Sequence, residues 1–173
     1  ILDAMEFVVL QDIFLSETAA IADVVLPAAS FAEKDGTFTG SWRLVQRVRR
    51  VIDPVGESRP DWEILCEIGR RMGYEMNYAS PAEIMEEIAS LTPSYGGISY
   101  VRLEDAGLRV PCPAKDHPGT EILWREAFKT DTGKGKFFPV EYQPPGEKAD
   151  EEYPFMLTTG KELYHIHTGS YTR

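Results

Sequence analysis

The sequence predicts an α/β fold built on an open sheet, and three observations predict it. An apolar run at residues 7–10 stops at Gln11-Asp12; a short Ala-rich helix opened by Ser16 and Glu17 follows, then a second apolar run at 23–27. Two stretches with apolar residues at helical spacing come next, beginning at Pro60-Asp61 and at Ser80-Pro81. Ahead of both, residues 37–52 (TFTGSWRLVQRVRRVI) are rich enough in β-branched and aromatic side chains to run extended as far as Asp53-Pro54.

Each element has its own logic. The step from FVVL to Gln11-Asp12 puts polar groups at the end of a strand, where open α/β sheets bind ligands. A carboxylate there can accept two parallel hydrogen bonds from a guanine edge, which makes Asp12 the first candidate site residue. In the first long helix Ile64, Leu65, Ile68 and Met72 form the apolar stripe, Asp61 is a candidate N-cap and Gly73 fits the stop. The second helix has Ser80 as N-cap, Pro81 at its first position, Glu83 completing a capping box and Thr92-Pro93 as terminator. Ile84, Ile88 and Leu91 are its expected buried stripe.

Residues 94–119, rich in Gly, Pro and Tyr and without periodicity, are expected to form a long surface loop. Residues 137–142 read as a strand and 153–159 as another. The resulting organisation is one α/β domain over residues 1–143, a linker over 144–152 and the start of a second domain over 153–173.

The formal net charge of -10 argues against a nucleic-acid or anionic-membrane surface, since phosphate-backbone binding needs a positive footprint. Arg43, Arg47, Arg49 and Arg50 are the local exception; they read as the solvated face of a strand, with a role beside anionic cofactor tails as the alternative. Cys66 and Cys112 are too few for a cluster and read as buried free thiols of a reducing compartment. No apolar run is long enough to span a bilayer, and the chain is expected to be an internal piece of a longer, cytoplasmic polypeptide.

Three motifs, QDIFLSETAAIADVVLPAASFAEKDGTFT, RPDWEILCEIGRRMGY and EYPFMLTTGKELYHIHTGSYTR, resemble the catalytic subunit of molybdopterin-dependent oxidoreductases, specifically formate dehydrogenases. The resemblance covers nearly the whole chain. It implies a Rossmann-like three-layer α/β domain followed by the first strand of a double-psi β-barrel-like domain. It further implies bis(molybdopterin guanine dinucleotide) carrying molybdenum or tungsten, and 4Fe-4S clusters and a Cys or selenocysteine metal ligand outside these residues. Formate and carbon dioxide would be the parent's substrate and product, and iron–sulfur or NAD(P)-linked subunits its electron partners. The chain alone is expected to be inactive.

By the same resemblance Asp12, Lys34 and Asp61 fall where relatives touch the guanine nucleotide, Ser16 faces the guanine, and Gln11 presents backbone groups to it. The turn Thr159, Gly160, Lys161, Glu162, His165, His167, Thr168 would wrap a pterin, its backbone N–H groups suited to a pyrophosphate. Lys161 stands where relatives usually have Arg, keeping the charge and losing the planar fork. His165 and His167 form an H-x-H pair able to ligate zinc on one strand face, although no third ligand is placed to complete the site. His117 reads as an ordinary loop residue. Gly40-Ser41-Trp42-Arg43-Leu44 departs from the Asn, acidic residue, Arg and second Arg common in relatives, and Arg43 alone keeps its place. The alternatives are a sister enzyme acting on nitrate or arsenic oxyanions, and a non-catalytic relative such as the large iron–sulfur subunit of complex I.

Overall fold

Strand β1 (Val9–Asp12) lies parallel to β2 (Val24–Pro27), with Val9 opposite Val24 and Asp12 opposite Pro27. The computed structural model describes residues 2–162. Between the two strands the chain makes a single short helical turn, Glu17–Ala20, in place of a longer crossover helix. Ala28 then forms an isolated parallel bridge with Arg59, so the backbone before the first long helix runs beside the end of β2.

A three-stranded antiparallel sheet follows, in the order β3 (Gly36–Thr39), β4 (Leu44–Val48), β5 (Leu108–Arg109). Residues 37–52 are therefore not one extended segment. They fold back at 40–43, where Gly40 N–H bonds Leu44 O at 2.9 Å and Arg43 N–H bonds Gly40 O at 2.9 Å. Arg43 sits there at φ 62°, a left-handed conformation that a long side chain adopts only under constraint.

Helix α1 spans Asp61–Arg71 and α2 spans Pro81–Leu91. Pro60, not Asp61, is the N-cap of α1, which frees the Asp61 carboxylate for other partners. Gly73 at φ +84° provides the expected stop. At α2, Ser80 occupies the cap position without a side-chain bond, and Glu83 accepts instead from the Ala79 N–H at 2.8 Å. Ile64 and Cys66 are buried in α1 as expected, but Leu65 and Met72 are exposed; in α2 the buried residue is Met85, and Leu91 is exposed. Both helices cover only a narrow strip of the core, so apolar spacing overstated the buried face.

The core contains Val45, Met85, Ile98, Leu103, Val110 and Cys112, with Tyr95, Tyr100 and Leu108 packed against it. Four of those six come from residues 94–119, so that segment is core and not a surface loop. Its apolar residues are delivered singly from turns, which leaves no period to read. The turns are fixed by backbone bonds, Gly97 N–H to Cys112 O at 2.6 Å and Cys112 N–H to Ser94 O at 2.7 Å. The Arg102 guanidinium adds bonds to the carbonyls of Gly97 at 2.6 Å and His117 at 2.7 Å. Buried main-chain groups are thereby satisfied without a helix or a long ladder.

These elements form the unit Ile1–Arg125; a second unit is Glu126–Arg173. Among its described residues the second unit has turns and irregular backbone, and the strands expected at 137–142 and 153–159 are not formed. Phe137 and Leu157 are almost fully exposed, at 98% and 94%. A strand needs a partner ladder, and neither segment has one among the described residues.

Candidate functional site

Gln11, Lys34 and Asp61 meet near the carboxyl ends of the parallel pair. Small residues bring the backbones close: Ala28 and Ala29 are buried, Ala29 N–H bonds Arg59 O at 2.8 Å and Arg59 N–H bonds Pro27 O at 3.1 Å. Pro60 then turns the chain into α1 with Asp61 facing β1. Gln11 Nε2 donates to Asp61 Oδ1 at 2.6 Å across 50 residues of sequence, and Lys34 Nζ forms an ion pair with Asp61 Oδ2. Lys34 Nζ also donates to the Ala29 carbonyl at 2.9 Å. Burial opposes the Asp61 charge, yet the bonds from Lys34 and Gln11 outweigh it and hold the carboxyl below its ordinary value.

Lys34 is set in place by Glu33, which sequence reasoning missed. Glu33 is a buried carboxylate, 6% exposed, accepting the Ser30 N–H at 2.7 Å and the Val55 N–H at 2.8 Å. The bond from the Ser30 N–H, foremost among its contacts, lowers its pKa. The signal was available in the Ser30-x-x-Glu33 spacing of a capping box.

Asp12 and Ser16 form a separate cluster. Successive strand side chains point to opposite faces, so Asp12 diverges from Gln11. Asp12 Oδ1 accepts the Phe14 N–H at 3.2 Å, and the Ser16 hydroxyl lies 3.4 Å from Oδ2. Both bonds are long, and the carboxylate retains capacity to accept two further donors. Ser16 precedes the Glu17–Ala20 turn without capping it through its side chain, which leaves its hydroxyl facing Asp12.

Residues 1–71 match the family model described as molybdopterin oxidoreductase. Over 99% of its length the chain is 49% identical to the F420-dependent formate dehydrogenase subunit alpha of Methanocaldococcus jannaschii, covering 26% of that protein. It is also 49% identical, with the same coverage, to the F420-dependent formate dehydrogenase 2 subunit alpha of Methanococcus maripaludis. The chain belongs to the molybdopterin oxidoreductase family. It spans about a quarter of the length of the curated relatives it matches. Among solved structures, acetylene hydratase from Pelobacter acetylenicus superposes with a TM-score of 0.49 at 22% identity, over 61% of this chain and 15% of that one.

All five of Gln11, Asp12, Ser16, Lys34 and Asp61 fall within the residues that match the molybdopterin oxidoreductase model. The arrangement offers carboxylates and a hydroxyl to hydrogen-bond donors, while the Lys34 charge is neutralised by Asp61. Such an acceptor set fits the N–H groups of a purine edge better than it fits an anionic pyrophosphate. Beside the Lys34–Asp61 pair lies a cavity of about 220 Å³ lined by Trp62, Met85, Ile88 and Tyr100 among others.

Thr159, Gly160, Lys161 and Glu162 are exposed in the second unit. His165, His167 and Thr168 lie outside the described residues. His117 is more than a loop residue: its Nδ1 accepts the Gly119 N–H at 3.0 Å and its carbonyl accepts from Arg102. Cys66 and Cys112 are both free and buried.

Of the arginine cluster, Arg49 and Arg50 are exposed, as a solvated face requires, whereas Arg43 and Arg47 are only partly exposed. Arg43 donates to the carbonyls of Val110, Thr120 at 3.0 Å and Glu121 at 3.1 Å. Arg47 lies over the Tyr100 ring, 4.1 Å from its centroid, with Asp35 at 3.8 Å and Glu104 at 3.6 Å. Arg49 pairs with Glu104 at 3.0 Å, and Arg50 with Asp53 at 3.6 Å. Arg43, Arg47 and Arg49 tie segments distant in sequence, while Arg50 makes only a local, exposed pair. Among the described residues no group of three or more His, Cys, Asp or Glu converges as a metal site, and no helix is long and apolar enough to cross a membrane.

Proposed function

We propose that this chain is the nucleotide-cradling part of a formate dehydrogenase catalytic subunit, and that its parent oxidises formate to carbon dioxide. The observation that carries the reading is a pair of polar groups, Gln11–Lys34–Asp61 and Asp12–Ser16, both within the family-matching segment and near the carboxyl ends of two parallel strands. That is where open α/β sheets hold ligands. Formate is preferred over nitrate or an arsenic oxyanion because both relatives above carry the name formate dehydrogenase. A non-catalytic role is disfavoured by the paired Gln11–Asp61–Lys34 group, which mere scaffolding does not require.

In this reading the cofactor is bis(molybdopterin guanine dinucleotide) with molybdenum or tungsten, and Asp12 and Ser16 receive a guanine edge. Gln11, Lys34 and Asp61 bound the nucleotide's other side, and the pterin or pyrophosphate contacts implied by the resemblance fall to residues 159–168. When bound, that cofactor would supply the two-electron acceptor for oxidation of formate to carbon dioxide and a proton. The residues of this chain bind and orient. The Gln11 amide and Lys34 ammonium keep Asp61 ionised and fixed; the Phe14 N–H and Ser16 hydroxyl keep Asp12 from turning away. The parent's 4Fe-4S clusters, held outside these residues, and iron–sulfur or NAD(P)-linked subunits would supply the route for the two electrons, in a cytoplasmic enzyme. The parent's sheet is a Rossmann-like three-layer arrangement, and residues 153–173 begin its β-barrel-like domain.

The test is the full-length parent purified with its cofactor. Molybdenum or tungsten, guanine nucleotide released on denaturation, and formate-dependent dye reduction are all expected. A parent holding no guanine nucleotide, or reducing dye with nitrate or arsenite couples and not with formate, overturns the reading.

A further inference from the structure

We propose that Glu33 is a positioning residue for nucleotide binding, one that acts through Lys34 and needs both oxygens of an ionised carboxylate. The proposal rests on the reading above, in which Lys34 borders the nucleotide, and it places Glu33 one step behind that contact. Among the described residues Glu33 is the only charged side chain that is buried. A charge in such a place persists only where its atoms have partners.

The two oxygens have separate partners. Oε2 accepts the Ser30 N–H at 2.7 Å, which closes the turn 30–33, and Oε1 accepts the Val55 N–H at 2.8 Å, which ties that turn to a segment more than twenty residues away. The Ala32 carbonyl strengthens the same tie, accepting the N–H groups of Val51 at 2.8 Å and Ile52 at 3.2 Å. The turn is fixed from within and from outside.

Lys34 follows directly in extended backbone, at φ −144° and ψ 154°, and its side chain folds back across the turn. Its Nζ donates to the Ala29 carbonyl at 2.9 Å and pairs with Asp61. One end of the turn thus supplies the lysine and the other end supplies its acceptor, so a turn that relaxes displaces both. A lysine stem is flexible, and a fixed Cα with a fixed acceptor is what holds its ammonium in one place.

Glutamine does not replace this carboxylate. Two N–H donors converge on two oxygens, whereas an amide has one oxygen and an NH2 group that turns its own hydrogens toward the second donor. A clamp that served the fold alone would change stability and leave the effect of Lys34 on the nucleotide untouched. The two roles separate in a double-mutant cycle, because residues acting through one another are not additive.

The experiment compares the full-length parent with its Glu33→Gln, Lys34→Ala and double variants. It measures guanine nucleotide released on denaturation per folded polypeptide, with chemical denaturation alongside. Each single variant is expected to retain about fivefold less nucleotide than the wild type. The double variant is expected to retain no less than Lys34→Ala alone, while the stability loss from Glu33→Gln persists in the Lys34→Ala background. A double variant that falls by the product of the two single effects overturns the proposal, as does full nucleotide content in Glu33→Gln. Should Glu33→Gln fail to fold, Ser30→Pro removes one of the two donors at a φ of −69° that proline adopts. A loss of nucleotide is expected there too, and unchanged content overturns the proposal equally. A wild-type parent without guanine nucleotide overturns the reading on which the proposal rests; additivity in a parent that holds the nucleotide overturns the proposal alone.

Discussion

Gln11 and Asp61, 50 residues apart, are joined by a 2.6 Å hydrogen bond that ties the end of β1 to the start of α1. The bond spans β2, so it sets the distance between the two sides of the candidate site. Lys34 completes the group from the Asp61 side with an ion pair. Asp61→Asn in the full-length parent keeps the shape and removes the charge that Lys34 and Gln11 meet. The expected result is guanine-nucleotide content lowered several-fold, with thermal stability lowered by about 1 kcal/mol, as for a partly exposed pair. Unchanged nucleotide content alongside the stability loss would make the group purely structural.

The same carboxylates give a pH dependence with a defined sign. Asp61 and Glu33 have folded pKa values below their ordinary 3.8 and 4.5. Each therefore binds its proton more readily when unfolded, and its stabilisation is present above the ordinary value and lost as pH falls through the lowered one. The parent's unfolding free energy should show no dependence from these groups above about pH 5 and should fall below about pH 4. Asp61→Asn should flatten that acid limb. An identical limb in the variant would show that Asp61 does not contribute.

Asp12 is bonded more loosely than Asp61, and the expected consequence is reversed. Asp12→Ala removes only two long bonds, to Phe14 and Ser16, so folding should be little perturbed. A guanine edge losing its acceptor in a partly buried site costs about 1–3 kcal/mol of binding. Pterin and metal occupancy in the purified parent should fall while the melting temperature stays near that of the wild type. Full occupancy with a large drop in melting temperature would make Asp12 a turn-forming residue.

The elements at this site were legible because local signals and tertiary structure agree. Two short apolar runs, a polar stop and a Gly after α1 are cues that packing did not override. The pairing of Gln11 with Asp61 was not legible, since no local pattern reports a bond across 50 residues. Asp61 misled in a specific way: its position before an apolar run suits an N-cap, but Pro60 takes that place. Residues 94–119 misled more, because a core assembled from Ile98, Leu103, Val110 and Cys112 through turns has no period. Residues 137–142 show the opposite error, where β-propensity without a partner strand produced no strand.

Two glycines of that turn-built core make a sharper test. A Cβ on Gly96 would lie 2.6 Å from Pro113 O, and one on Gly97 would collide with the Ala114 carbonyl, both of them backbone atoms that cannot swing aside. Gly36, at the start of β3, has nothing within 4 Å of the same position. Gly97→Ala is expected to destabilise the parent by about 2–4 kcal/mol, with Gly36→Ala within about 1 kcal/mol of neutral. Chemical denaturation of the two variants compares them directly. Equal effects would mean that the 94–119 segment is not packed as tightly as its contacts indicate.

Arg43 fastens the β3–β4 turn to the segment after β5, and its backbone and side chain depend on one another. The left-handed backbone at φ 62° aims the guanidinium at the carbonyls of Val110, Thr120 and Glu121. Arg43 N–H and carbonyl are also engaged, with Gly40 O and Val110 N–H. Arg43→Gly relieves the backbone cost and loses the fork; Arg43→Ala loses the fork and keeps the cost. Charged donors to carbonyls are worth about 1.5–3 kcal/mol together with the carbonyls they leave unpaired. Arg43→Ala should therefore lower the parent's stability by about 2–3 kcal/mol, and Arg43→Gly by about 1 kcal/mol less, because glycine accepts this φ freely. Arg43→Lys, with one point of donation in place of a fork, should fall near the alanine variant. If Arg43→Lys is neutral, the clamp acts through charge alone and the three-carbonyl geometry contributes nothing to stability.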